Sequence, residues 1–245
     1  MTEFEKYEEF YYSGQVEGRG IVTPEQLHDL FSEHSVIYGE FFGHTLDHLN
    51  AFPAIDLACG YGNAMHFLKS RGFSDISGVD LDPRQVALAQ SVGLPARIGN
   101  VFDALGQAEH YGVVSAFDII EHLSKNDAVT LVQSVHAALR PGGAFIVQCP
   151  CADGFCGAHD LCNDLTHRWA PTSITLRQML RIAGFSRVEI VDRSLPPYPV
   201  KPLRRLRFAV RRMARALASP FLAILGIQRP RVWSTSQVAI AWKEG

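Results

Sequence analysis

From residue 51 onward, short apolar runs alternate with longer amphipathic stretches, and this alternation predicts parallel strands joined by crossover helices. Strands are expected at 54–58, 76–80, 96–99, 113–117 and 144–149. Helices near 63–71, 83–92 and 125–138 fill the gaps, the last stopped by Pro141-Gly142-Gly143. The stretch from Cys149 to Pro171 is too long for an ordinary connection and is expected to carry function or to move. A helix at about 172–183 ends at Gly184, and strands at 187–191 and 233–242 bring the count to seven. Ahead of this pattern the first 50 residues read as helices at 3–12, 24–33 and 36–49, with Thr23 as an N-cap.

Composition fits one domain. The chain has 245 residues, 47% apolar and 20% charged, enough to bury a proper core and too apolar for a disordered chain. Its amino terminus carries Glu3 and Glu5 where an export signal needs a basic and then an apolar stretch, so a cytoplasmic protein is expected. No apolar run is long enough to span a bilayer. The five cysteines are odd in number and are expected to stay reduced.

Charge is distributed unevenly. Residues 1–192 hold 12 Lys/Arg against 24 Asp/Glu, whereas residues 193–243 hold 11 Lys/Arg and no acid. At helical spacing Arg204, Arg205, Arg207, Arg211, Arg212 and Arg215 share one arc, and Leu203, Leu206, Val210, Met213 and Leu217 occupy the other side; only Phe208 breaks the pattern. Residues 194–231 thus read as a basic amphipathic insertion. Its helix suits either an anionic membrane surface, through residues 201–227, or docking on its own acidic domain. Nucleic acid is not expected, because the rest of the chain is acidic.

The chemistry begins at Ile55-Asp56-Leu57-Ala58-Cys59-Gly60-Tyr61-Gly62-Asn63, where a strand runs into Gly-x-Gly and a helix. Glycine lets the backbone turn sharply there and lets a ligand lie against the main chain and the helix N-terminus. Twenty residues on, Asp80 ends the second strand, placed to accept both hydroxyls of a ribose. A third glycine of the dinucleotide fingerprint is missing, since position 65 is Met, which counts against NAD. Asp56 suits a cationic ligand better than a pyrophosphate.

With these residues in hand, the chain resembles the class I S-adenosylmethionine-dependent methyltransferases over about residues 51–192. Asp56 to Gly62 is similar to the first motif of that family, Gly78-Val79-Asp80-Leu81-Asp82 to its ribose motif, and Gly99-Asn100-Val101-Phe102-Asp103 to its adenine motif, with Asn100 in place of the usual Asp. Ala116-Phe117-Asp118-Ile119-Ile120-Glu121-His122-Leu123 resembles the fourth-strand signature, and Leu139-Arg140-Pro141-Gly142-Gly143 the turn before the fifth. The resemblance implies a Rossmann-like α/β fold of seven strands, order 3-2-1-4-5-7-6, strand 7 antiparallel, with helices on both faces. It implies S-adenosylmethionine as cofactor, residues 1–50 as a helical lid, and Asp56, Ala58, Gly60, Gly62, Asp80, Leu81, Asn100, Val101, Phe117 and Tyr11 as cofactor-binding positions.

Ligands of open α/β sheets sit beyond the carboxyl ends of the strands, which selects His122 and the loop at 150–171. His167 is the first candidate for a general base, oriented by Asp164 or Asp160, and His122 the second. Cys149, Cys151, Cys156, His159, Cys162 and His167 crowd together without zinc-knuckle spacing, so no metal is expected. The loop's similarity to glycan-modifying members implies O-methylation of a sugar hydroxyl in a polysaccharide or lipid-linked glycan at the inner membrane face. A quinone, lipid or amine acceptor, or a non-catalytic adenosyl-binding regulator, are the alternatives.

Overall fold

Strands buried on both faces need apolar side chains at consecutive positions, and these strands have them. In the computed structural model, which describes residues 24–154, 157–162, 164–198, 201–226 and 228–245, the sheet comprises β1 (Ala54–Leu57), β2 (Ile76–Asp80), β3 (Ala96–Ile98), β4 (Tyr111–Phe117), β5 (Leu139–Pro150), β6 (Arg187–Asp192) and β7 (Ser236–Trp242). Their order is 3-2-1-4-5-7-6, with β7 antiparallel to both β5 and β6. This is the expected seven-stranded Rossmann-like sheet.

Helices α1 (Pro24–Phe42), α2 (Asn63–Ser70) and α3 (Pro83–Ser91) cover one face, where Leu27, Phe31, Met65 and Val86 meet Val113, Ile146 and Ile240. Helices α4 (Lys125–Ala138) and α6 (Ser173–Ile182) cover the other, where Leu131, Val135 and Leu176 meet Val114, Phe145 and Ala239. Adjacent residues of one strand thus enter different cores. A short α5 (Gly157–Cys162) lies in the long connection after β5.

Two boundaries differ from expectation. Residues 24–33 and 36–49 were expected as separate helices, yet α1 runs unbroken to Phe42. Ser32 Oγ donates to the His28 carbonyl at 3.0 Å and His34 Nδ1 lies 3.0 Å from the Leu30 carbonyl, so the polar residues bond back along the helix and do not end it. Helix α4 ends at Ala138 as expected, but β5 starts at Leu139 and not at 144, so Pro141-Gly142-Gly143 lies inside the strand, where the register against β4 shifts and Gly142 takes a φ of 76°.

The basic insertion forms α7 (Pro202–Ile224), and its orientation is the reverse of the simple membrane picture. Arg204, Arg211 and Arg215 face the domain, whereas Arg205, Arg207 and Arg212 are exposed. Arg204 Nη2 lies 2.9 Å from an oxygen of the fully buried Glu40, an ion pair although neither Glu40 oxygen has an aligned donor. Arg211 donates to the Ser194 carbonyl at 3.0 Å, and Arg215 donates to Asp192 at 2.8 Å while lying over the Trp233 ring. Phe208, the residue that broke the pattern, is buried in the middle of this inward face. Leu203, Leu206, Val210, Met213, Leu217, Phe221 and Ile224 are left between 52% and 82% exposed.

Asp192 organises the attachment. Besides Arg215 it accepts from Trp233 N–H and Ser234 Oγ at 2.8 Å and from Ser194 Oγ at 2.6 Å. Burial alone pushes its carboxyl up, but these donors outweigh it and hold it below the usual carboxylate range. Its stabilisation is therefore present above the unfolded pKa and is lost as pH falls through the lower folded value. Replacing Asp192 with Ala leaves the half-buried Arg215 and four further donors unmatched and is expected to cost about 3 kcal/mol in urea unfolding at pH 7, with the difference from wild type shrinking below pH 4.

Candidate functional site

The bend after β1 is built from left-handed backbone: Ala58, Gly60 and Gly62 have φ of 54°, 53° and 97°. Gly62 caps α2, and a Cβ there would strike Leu94. The bend is fastened to β2 through Asp80, whose carboxylate accepts Gly60 N–H at 2.8 Å on one oxygen and Asp82 N–H at 2.9 Å on the other. The missing third glycine is also explained. Met65 is fully buried against Gly78 of β2, where any side chain would overlap its sulfur, so the close helix–strand approach is provided from the strand side.

Asp56 pairs with Ser115 across β1 and β4, and the Ser115 hydroxyl donates to it at 2.6 Å. Burial, reinforced by the charge of Asp80 and opposed by that hydrogen bond, pushes the Asp56 carboxyl up to about 7. Above it α1 supplies Tyr38, which packs on Phe117 with ring centroids 5.3 Å apart. Burial first, then the charges of Asp56 and Asp118, raise the Tyr38 phenol well above its ordinary value and keep it protonated.

The tip of β4 makes the opposite wall. Asp118 takes a left-handed φ of 52°, its N–H donates to the Gln148 carbonyl at 3.0 Å, and its carboxylate accepts the Gln148 amide at 2.8 Å. The next turn carries Glu121 and His122. Three hydrogen bonds hold the distant loop against it: Arg168 N–H to the Glu121 carbonyl at 2.8 Å, Trp169 Nε1 to the Leu123 carbonyl at 3.1 Å, and Thr166 Oγ1 with His122 Nδ1 at 2.8 Å. His167 is thereby set with its ring centroid 4.9 Å from that of His122 and its Nε2 3.9 Å from Glu121 and 3.8 Å from Asp164.

The electrostatics of this corner follow from burial. Desolvation, then the charge of Asp118, raises Glu121 well above the carboxylate range. Burial and the neighbouring His167 push His122 down to about 4, so it is neutral at pH 7. Thr166 has one hydroxyl proton, and it goes to Asp164 at 2.7 Å. His122 Nδ1 therefore donates to Thr166, and His122 Nε2 carries the lone pair.

The structure brings Asp56, Ala58, Gly60, Gly62, Asp80, Phe117, His122 and His167 to neighbouring strand ends. Leu81 is 70% exposed beside Asp80. Val101 is buried, and the Asn100 side-chain oxygen accepts Phe102 N–H at 3.0 Å, leaving one lone pair for another donor. Tyr11, Cys156 and the side chain of Asp160 lie outside the described residues. Of the crowded thiols, Cys149 and Cys151 are buried and Cys162 is exposed, all free. Among the described residues, the group whose ligand atoms gather is instead Glu121, His122 and His167. Tyr38, Asp118, Glu121 and Thr166 were not among the expected site residues.

Residues 46–190 match the methyltransferase domain family, more than half of the chain, and the protein belongs to that family. Its fold is shared with an S-adenosylmethionine-dependent methyltransferase from Archaeoglobus fulgidus (15% identity, covering 95% of this chain and 100% of that one, TM-score 0.65). It is shared as well with a Haloferax volcanii complex of the Trm112 activator and a methyltransferase (14%, 96% and 98%, 0.60). A third such fold is Haemonchus contortus phosphoethanolamine N-methyltransferase 2 (15%, 79% and 49%, 0.53). No curated protein matches the chain by sequence.

S-adenosylmethionine is the cofactor. The residues present fit it. A Cβ built on Gly60 meets nothing nearer than Gln85 Oε1 at 3.8 Å, so the backbone there is open to a close ligand, and that buried amide oxygen has no hydrogen-bond partner.

The raised Asp56 gives a pH signature. Because its folded pKa exceeds the unfolded value, its contribution to stability is present below about pH 4 and is lost as pH rises toward 7. The cofactor-free wild type should lose stability relative to Asp56→Asn over that window in urea titrations; a pH-independent difference would contradict the raised value.

Proposed function

We propose that the protein methylates a hydroxyl group on a sugar, within a polysaccharide or a lipid-linked glycan, using S-adenosylmethionine. The observation that carries this reading is the pair His122 and His167 at the tip of β4, beside the glycine bend. A hydroxyl must lose its proton as its oxygen is methylated, and a neutral imidazole is the side chain suited to that at pH 7.

Asp80 would hold the ribose hydroxyls, Asn100 and Val101 the adenine edge, Leu81 and Phe117 the apolar surfaces, and the Gly60–Gly62 bend with Asp56 the methionine end. When bound, the cofactor supplies an electrophilic methyl group on a cationic sulfur. The rest falls to the chain: it orients the acceptor oxygen, excludes water with Tyr38, Phe117 and α1, and receives a proton. His167, whose Nε2 lies 3.9 Å from Glu121 and 3.8 Å from Asp164, is the base in this reading. His122 positions it. An amine or small lipid acceptor remains the second reading, on the fold shared with an enzyme whose acceptor is a phosphoethanolamine.

The exposed stripe of α7 supports a place for this reaction. Among the described residues no helix is long and apolar enough to cross a membrane. Seven large apolar side chains nevertheless face out along α7, bordered by the exposed Arg205, Arg207 and Arg212. A stripe with cationic edges suits the headgroup boundary of an anionic bilayer, in keeping with a lipid-linked acceptor.

Three experiments test these assignments. Calorimetry should show S-adenosylmethionine binding to wild type and, on loss of a pair of charge-assisted hydrogen bonds, weakening of about 30-fold in Asp80→Ala; a signal with NADH alone would overturn the cofactor assignment. With tritiated donor and glycan, lipid and small-molecule fractions, His167→Ala should lower turnover by about 100-fold or more. In vesicle flotation the wild type should rise with anionic but not neutral vesicles, and Leu206→Glu with Leu217→Glu should abolish it; no flotation at low salt would remove the membrane reading.

A further inference from the structure

We propose that Glu121, His122 and His167 form a binding site for one divalent transition-metal cation of the zinc and manganese class, and that this cation receives the acceptor oxygen. The site is a two-histidine, one-carboxylate set on two rigidly joined segments. One ligand atom from each residue lies within 4.8 Å of the others. Zinc bonds of about 2.1 Å at tetrahedral angles need donors about 3.4 Å apart, so modest side-chain rotation closes the set.

Three features of the chain fit a cation. The first is Glu121, only 1% exposed, whose Oε2 has no hydrogen-bond partner. A buried carboxylate oxygen is rarely left so, and a metal ion at this corner satisfies it. The second is tautomeric: the chain His122–Thr166–Asp164 fixes the His122 proton on Nδ1 and leaves Nε2 to donate a lone pair. A second-shell hydroxyl and carboxylate behind a metal-binding histidine perform this same orienting task. The third is coordination number. Three protein ligands leave a fourth position open, the arrangement of catalytic and not structural zinc.

The inference deepens the methyltransferase reading and rests on it only for the purpose of the ion. A hydroxyl bound at the open position has its pKa lowered by the metal, and its proton leaves to water. His167 then serves as ligand instead of base. Metal binding itself depends on nothing but these residues.

The full-length chain, stripped with chelator, equilibrated with zinc and freed of unbound ion, should retain one zinc per chain by elemental analysis, and cobalt substitution should give visible absorption bands of a four- or five-coordinate site. Glu121→Gln, which keeps the side-chain shape, and His167→Asn should each lose the bound ion. Thr166→Ala, which removes only the orienting hydroxyl, should weaken zinc binding by about 10- to 100-fold. His66→Gln and Cys162→Ser, controls outside the proposed ligand set, should retain it. Circular dichroism and melting temperature establish that each variant is folded. Wild type retaining no more zinc than folded Glu121→Gln, or loss of the ion in Cys162→Ser alone, would overturn the proposal. Calorimetry with S-adenosylmethionine on the stripped protein separates the two ideas. Cofactor binding without any metal site leaves the methyltransferase reading standing and sinks this one; a metal site without cofactor binding does the reverse.

Discussion

The hydrogen bond from Gly60 N–H to Asp80, 2.8 Å long, is the constraint on which the site depends. It joins the carboxyl ends of β1 and β2 and fixes the direction of a bend that only permissive backbone can make. The other oxygen is held by Asp82 N–H. Because both bonds come from main chain, the carboxylate is oriented before any ligand arrives, and little ordering entropy is left to be lost on binding. The left-handed Ala58 and Asp118 do similar service on β1 and β4: each redirects the chain where its strand leaves the sheet, and each is strained for a residue with a Cβ.

The sheet was legible from the sequence because both its faces are buried. Residues such as Val113 and Val114, or Phe145 and Ile146, enter opposite cores, so the strands read as continuous apolar runs. The glycine bend and Asp80 were legible through spacing along one βαβ unit. What escaped was everything set by contact across the sheet. Tyr38 reaches the site because α1 does not break at Ser35, and polar composition signals a break where i−4 bonding prevents one. Thr166 meets His122 only because the loop is pinned to the β4 turn, and no periodicity links residues 44 positions apart. The role of Met65 was invisible for a like reason, its partner Gly78 being on another element.

Helix α7 shows the same limit in a different form. Charge periodicity located both its faces correctly but carried no sign for which one turned inward. The common rule puts the apolar face in, and here Glu40, Asp192 and the Ser194 carbonyl supply partners that make the arginine face the better buried one. Phe208 was the clue, an apolar residue placed among arginines where the domain, not solvent, is met. The consequence is an apolar surface that the described chain does not cover and that is costly in water.

The charge of the site also follows a single logic. Asp56, Asp80 and Glu121 are all pushed upward by burial, and Asp118 and Asp164 add negative charge around them. A fold that gathers so many acids at the ends of adjacent strands is disfavoured by repulsion and desolvation unless cations arrive with the ligands. A sulfonium-bearing cofactor accounts for the charge near Asp56 and Asp80, at the bend. Glu121, in the turn after β4, has a buried oxygen with no hydrogen-bond partner and two imidazoles beside it. A second positive charge at that corner, supplied by the divalent ion proposed above, would satisfy that oxygen.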